Sequence, residues 1–103
     1  MGSFYLLLFS RGSNWTDEYS AEIEALQRAH NQYLNHLHDT YRAVSGPFVD
    51  TKDDLSGMTL IPAHEMSEEE VAKLIAQDPA VKAKRLRVEI RRWHTPPNFI
   101  VLG

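Results

Sequence analysis

Residues 4–9 read FYLLLF, from Phe4 to Phe9, and the turn-forming stretch SRGSN follows at once. Six apolar residues without a polar interruption are too few for a stable helix, and the abrupt stop favours a strand buried on both faces. A strand of that kind belongs in the middle of a sheet, so the rest of the chain has to supply its neighbours. After Trp15, the cap candidates Thr16 and Ser20 precede a segment in which Ile23, Leu26, His30, Tyr33, Leu34 and Leu37 recur every three or four residues. That recurrence is the apolar stripe of a long helix, ending before Ser45-Gly46-Pro47. YRAVSGPF, from Tyr41, reads as a short strand whose Pro47 lacks a backbone donor and suits an edge. The polar VDTKDDLSG leads into GMTLIP, a strand apolar on both faces. SEEEVAKLIAQ opens with a capping-box pattern, Ser67 as N-cap and Glu70 three residues on. Asp78-Pro79 reads as a fresh N-cap and first helical residue. RLRVEIRRW then alternates, Leu86, Val88 and Ile90 against Arg85, Arg87, Glu89 and Arg91, as a strand with one wet face does.

Strand, helix, strand, strand, helix, strand is the ferredoxin-like β-α-β-β-α-β order of an α+β protein with a four-stranded antiparallel sheet. The first and third strands are expected at the centre, the second and fourth at the edges. A single domain over residues 1–94 is expected, with 95–103 as a C-terminal tail. Two helices cover one face of such a sheet, whereas FYLLLF calls for burial on both. Burying each of these side chains is worth about 1.5–3 kcal/mol. A homodimer packed sheet to sheet is the expectation, the alternative being a monomer whose tail TPPNFIVLG turns Phe99, Ile100, Val101 and Leu102 onto the open face.

Composition narrows the function classes. The 103 residues are 43% hydrophobic and 24% charged, as in a globular domain, with a net charge of −3 that argues against nucleic acid as a partner. There is no cysteine, so thiolate nucleophiles, Cys-ligated zinc and disulfides are excluded, and a cytoplasmic setting is expected. FYLLLF is too short for a membrane span or signal peptide, and Leu6 breaks the myristoylation pattern that Met1-Gly2 would begin.

Three of the five histidines fall within RAHNQYLNHLHD, Arg28 to Asp39. His30, His36 and His38 lie six, eight and two positions apart, not at the three or four that lets helical side chains share an ion, and no metal or other cofactor is expected. His36 falls on the polar side of the helix. His38 stands near its end, where the dipole favours a cation, and both read as surface residues, as do His64 and His94. His30 differs because it interrupts the apolar stripe. A buried imidazole needs partners for its ring nitrogens. Asp39, Asp50, Asp53 and Asp54 are the candidates, with plain structural burial of a satisfied histidine as the alternative to a functional one.

Taken together, FYLLLFSRGSNW, LQRAHNQYL, SGPFVD, DPAV and VEIRRW resemble the YCII-related (YciI-like) family of the dimeric α+β barrel superfamily, over about residues 4–93. The resemblance implies a ferredoxin-like fold dimerising through its sheets, and a helix-borne histidine paired with an aspartate just after the Gly-Pro strand. Those positions are His30 and Asp50 here. Lys84 departs from the family, which often has a glycine there. The family's characterised activities include a dehydrochlorinase acting on a chlorinated hydroxyquinol, and related barrels include isomerases and cofactor-free oxygenases.

Two functions follow as expectations. In the first, the protein is a small cofactor-independent lyase or isomerase moving a proton on a cyclic or aromatic substrate. His30 then acts as acid or base, Asp50 orients it, and Tyr5, Ser45 and Trp93 line the pocket. In the second, the same fold binds a small ligand without catalysis. A weaker third reading assigns an anionic partner to Arg85, Arg87, Arg91 and Arg92.

Overall fold

The computed structural model describes residues 2–50 and 52–96. Its elements follow the expected order: β1 (Gly2–Arg11), α1 (Ala21–Tyr41), β2 (Val44–Pro47), β3 (Leu55–Pro62), α2 (Glu68–Ile75), α3 (Pro79–Lys82) and β4 (Leu86–Thr95). The four strands form one antiparallel sheet in the order β2-β3-β1-β4. The apolar run is thus a central strand, hydrogen-bonded on both edges, and the proline-bearing strand lies outermost.

Alternation along β1 divides its side chains between the two faces of the sheet. Tyr5, Leu7 and Phe9 point to the helices and join Ile61 and Ala63, Leu37 of α1, Val71 and Ile75 of α2 and Ala80 of α3 in one buried cluster. Phe4, Leu6 and Leu8 point the other way, with Met58, Leu60 and Val44 beside them by register and Trp93 against Phe4 at 5.8 Å between ring centroids. Leu6, Leu8, Met58 and Leu60 keep only intermediate burial in the single chain. The tail residues proposed to cover this face, Phe99 to Leu102, lie outside the described residues.

Local chemistry explains where the helices begin. Ser20 caps α1 by accepting the Ile23 N–H at 3.1 Å, and Ser67 caps α2 by accepting the Glu70 N–H at 3.1 Å. Asp78 caps α3 by accepting the Ala80 N–H at 2.9 Å, with Pro79 in the first turn. Within its stripe α1 buries only His30 and Leu37 fully. The helix therefore stands away from the β2–β3 edge of the sheet instead of packing flat on it, and a hollow is left between them.

The four arginines near the C-terminus do not share one face: by alternation Arg87 and Arg91 lie on one side of β4 with Glu89 between them, and Arg92 lies on the other. Arg85 precedes β4 and stacks its guanidinium 4.0 Å from the Trp15 ring centroid, while Arg92 lies 5.5 Å from that of Tyr5. Arg91 is paired with Glu89 at 2.9 Å. A coherent basic surface is not formed, which removes the geometric basis for an anionic partner there. No helix among the described residues is long and apolar enough to cross a membrane.

Candidate active site

The hollow between α1 and the β2–β3 edge is a cavity of about 700 Å³, within the range of small-molecule sites. Gln27, His30, Asn31, Leu34, Asn35 and His38 form its α1 wall, and Ser45, Gly46, Pro47, Ser56 and Gly57 face them from the strands. Trp15, Phe9 and Leu86 also contribute, and no Asp, Glu, Lys or Arg is among the lining residues. Among the described residues, histidine is the only titratable side chain on the wall.

His30 stands in this wall with its ring almost wholly buried. Its Nδ1 lies 2.5 Å from Oδ2 of Asp78, whose side chain is completely buried. The other carboxylate oxygen of Asp78 accepts the Ala80 N–H, so both oxygens are engaged and the group cannot rotate away. Burying a carboxylate is costly unless it is hydrogen-bonded, and these two bonds meet that demand. With a carboxylate accepting at Nδ1, the neutral ring carries its proton there, and Nε2 is left with its lone pair. Among the described residues no side chain or backbone group bonds Nε2. The edge of Phe9 packs on the imidazole, ring centroids 5.6 Å apart and planes at 84°, which holds its orientation from the sheet side.

Tyr33, three residues along α1, donates its hydroxyl to the Leu74 carbonyl at 2.5 Å. Burial first, then the nearby Asp78 carboxylate and Tyr41, push its phenol above the ordinary tyrosine range. It is a neutral strut between α1 and α2.

The expected partner of His30 needs correcting. Asp50 lies in the exposed segment after β2, where Oδ1 accepts the Lys52 N–H at 3.1 Å and Oδ2 lies 3.6 Å from Lys52 Nζ. The strand ends at Pro47, and the turn beyond it carries Asp50 toward solvent and away from the cavity wall. Asp53 is likewise spent locally on the Leu55 N–H, and Asp39 and Asp54 are exposed. From the sequence Asp78 is expected only as a helix cap. It performs that task with one oxygen and holds His30 with the other.

Of the expected lining residues, the cavity contains Ser45, whose Oγ is 2.7 Å from Thr59 Oγ1. Tyr5 is fully buried and donates to the Met66 carbonyl at 2.9 Å, and Trp93 sits on the opposite face of the sheet beside Phe4; neither lines the cavity. Alternation accounts for Trp93, which shares a face with Leu6 and Leu8. His38, expected as a surface residue, is exposed but forms part of the cavity wall, with Nδ1 2.8 Å from the Ala43 carbonyl. The signal for it was the four-residue row His30, Leu34, His38. No group of three His, Asp or Glu side chains able to hold a metal ion is formed among the described residues.

No protein-family model matches the chain, and no curated protein matches it in sequence. Among solved structures it is similar to 5-chloro-2-hydroxyhydroquinone dehydrochlorinase (TftG) from Burkholderia phenoliruptrix AC1100, in complex with 2,5-dihydroxybenzoquinone. The TM-score is 0.61 at 23% identity, covering 90% of this chain and 95% of that one. The two proteins share a fold. Near-complete coverage of both chains means that the similarity extends over the whole α+β arrangement described above and not over a single supersecondary unit.

Proposed function

We propose that this chain is a YCII-related enzyme, a lyase or isomerase that moves protons on a small ring substrate without metal or organic cofactor, and that it works in the cytoplasm as a sheet-to-sheet homodimer. The observation that carries the catalytic reading is the buried His30–Asp78 pair opening onto the cavity. Asp78 fixes the tautomer and the orientation of the ring, and Nε2 is presented as a general base that becomes the acid for the return step. The uncharged lining suits a substrate without strong fixed charge, and Phe9, Trp15 and Leu34 offer apolar and aromatic surface to a ring.

The dehydrochlorinase that shares the fold suggests one substrate class, chlorinated hydroxyhydroquinones. For such a ring the balance closes without oxidant or reductant. Two hydroxyls lose their protons, one ring carbon gains a proton, and the C–Cl bond breaks with both electrons leaving on chloride, so one HCl departs. A single base able to take a proton from oxygen and return one to carbon meets this need. His30→Gln is expected to lower chloride release by about 10²–10⁴-fold. Asp78→Asn is expected to lower it by about 10²-fold or more, because an amide disturbs the tautomer. Turnover unchanged in His30→Gln would overturn the assignment.

One observation favours a non-catalytic ligand-binding reading instead: Asp78 also joins α1 to the start of α3, so the pair has a structural use of its own. The discriminating result is wild-type protein that binds the ring without releasing chloride, with Asp78→Asn losing stability.

A further inference from the structure

We infer that Ser45 donates its hydroxyl proton to the substrate oxygen that becomes negative when His30 takes a proton, and that the buried Thr59 hydroxyl is the positioning residue that leaves the Ser45 O–H free for this. The inference deepens the proposed function and rests on the same cavity. A base that takes a proton from an uncharged ring leaves the electron pair of the broken bond on the substrate, where it settles on the oxygen that bore the proton or is conjugated with it. The cavity wall holds no Lys or Arg to meet that charge, so hydrogen-bond donors have to. His30 faces the cavity from α1 and Ser45 faces it from β2, which puts the base and this donor on opposite walls with the ligand between them.

Burial decides which hydroxyl donates to the other. Ser45 and Thr59 are cross-strand partners in the β2–β3 register, and their hydroxyl oxygens lie 2.7 Å apart. Thr59 is completely buried, whereas Ser45 is half-buried and lines the cavity. A hydroxyl has one proton to donate and lone pairs with which to accept. Among the described residues the Thr59 hydroxyl bonds to no group other than Ser45. If Ser45 were the donor, the Thr59 proton would be buried without an acceptor, at the full desolvation cost of that group. Thr59 therefore donates, Ser45 Oγ accepts, and the Ser45 proton is left for the cavity. Accepting one hydrogen bond also makes Ser45 the stronger donor in the next. The ligand class this serves is a weakly acidic O–H compound, an enol or a phenol, bound neutral and held as its anion after proton loss.

The probe is p-nitrophenol, whose yellow phenolate reports the ionisation of the bound ligand directly. Wild-type protein is expected to bind the phenolate more tightly than the phenol, so that the bound ligand ionises at lower pH than the free one. Ser45→Ala is expected to raise that ionisation by about 1–2 pH units, equivalent to a phenolate affinity about 10- to 100-fold lower with the phenol affinity little changed. Because Ser45→Ala alone strands the Thr59 proton in the core, the double variant Ser45→Ala/Thr59→Val, which leaves no buried donor unpaired, is measured beside it and is expected to show the same shift. Thr59→Val alone is expected to give a smaller shift in the same direction, and Thr59→Ser, which keeps the hydroxyl, to restore wild-type behaviour. His30 and His38, the titratable groups on the facing wall, are present in every variant, so the differences report Ser45 and Thr59. In the chloride-release assay Ser45→Ala is expected to lower kcat by about 10²-fold with KM nearly constant, since the bond strengthens as charge develops. Unchanged ionisation of bound p-nitrophenol in the double variant, an equal loss of phenol and phenolate affinity, or no binding at millimolar concentration would overturn the inference. The two levels fail separately. Loss of turnover in His30→Gln with ionisation indifferent to Ser45 leaves the enzyme and removes the donor. A phenolate preference that depends on Ser45, with turnover indifferent to His30→Gln, leaves the donor and removes the catalytic reading.

Discussion

Asp78 serves two elements with its two oxygens, and its replacement therefore costs twice. Asp78→Ala removes a helix cap, worth about 0.5–2 kcal/mol, and leaves the buried Nδ1–H of His30 without an acceptor, a penalty of about 1–3 kcal/mol. A combined loss of about 2–4 kcal/mol is expected in urea unfolding, whereas Asp50→Ala, at an exposed position, is expected to stay within about 0.5 kcal/mol of wild type. Equal effects would contradict the pairing. Tyr33 yields a pH prediction. Its phenol is raised in the folded protein by burial and by Asp78, so the fold favours the neutral form. The associated stability is present below the unfolded value near pH 10 and is lost as pH rises from there through the folded value. Tyr33→Phe should flatten this alkaline decline in a series of unfolding curves. At this scale the sequence was half informative. The exceptional place of His30 was visible because a polar ring interrupts an apolar stripe, but its partner was not. Asp78 already had a sufficient local explanation in Asp-Pro, and 48 residues of chain separate the two groups.

Element boundaries were much easier to read, since they depend on neighbours in sequence. Ser20, Ser67 and Asp78 each cap the helix that follows, and period-two alternation placed β4 with one wet face. β3 starts two residues earlier than the apolar run implied, at Leu55, where the Asp53 carboxylate accepts the Leu55 N–H. Lys84 is the local conflict. It adopts φ 60° in the turn between α3 and β4, a left-handed conformation that costs most L-residues about 1–2 kcal/mol. The glycine found there in the YCII-related pattern fits that backbone. Lys84→Gly is expected to raise stability by up to about 1 kcal/mol, after allowing for glycine's added freedom in the unfolded chain. Across this turn, the Asn14 N–H reaches the Lys84 carbonyl at 2.8 Å, and a Cβ on Gly12 would stand only 2.2 Å from the same oxygen. Gly12→Ala is accordingly expected to cost about 1–3 kcal/mol, read from a lowered denaturation midpoint.

Over the whole molecule, the sheet order and the central place of β1 followed from which strands were apolar on both sides. A pocket between helix and sheet was expected from the place of His30, but most of its lining was not, because that depends on how far α1 stands from the sheet, a distance that no pattern of residues encodes. The open face, with Leu6, Leu8, Met58 and Leu60 only half-buried, motivates the proposed homodimer. Light scattering at micromolar concentration is expected to give twice the chain mass, and Leu6→Glu, which places a charge in that face, is expected to give a folded monomer. A monomeric wild-type mass would overturn the proposal. The reach of the His30–Asp78 bond also bears on synthesis. A ribosome that has delivered all of α1 has still to add the residues from β2 to the start of α3 before the imidazole meets its carboxylate. The pair would thus form late, as a report that the second half of the chain has docked, and a fragment ending before residue 78 would carry the histidine without its carboxylate.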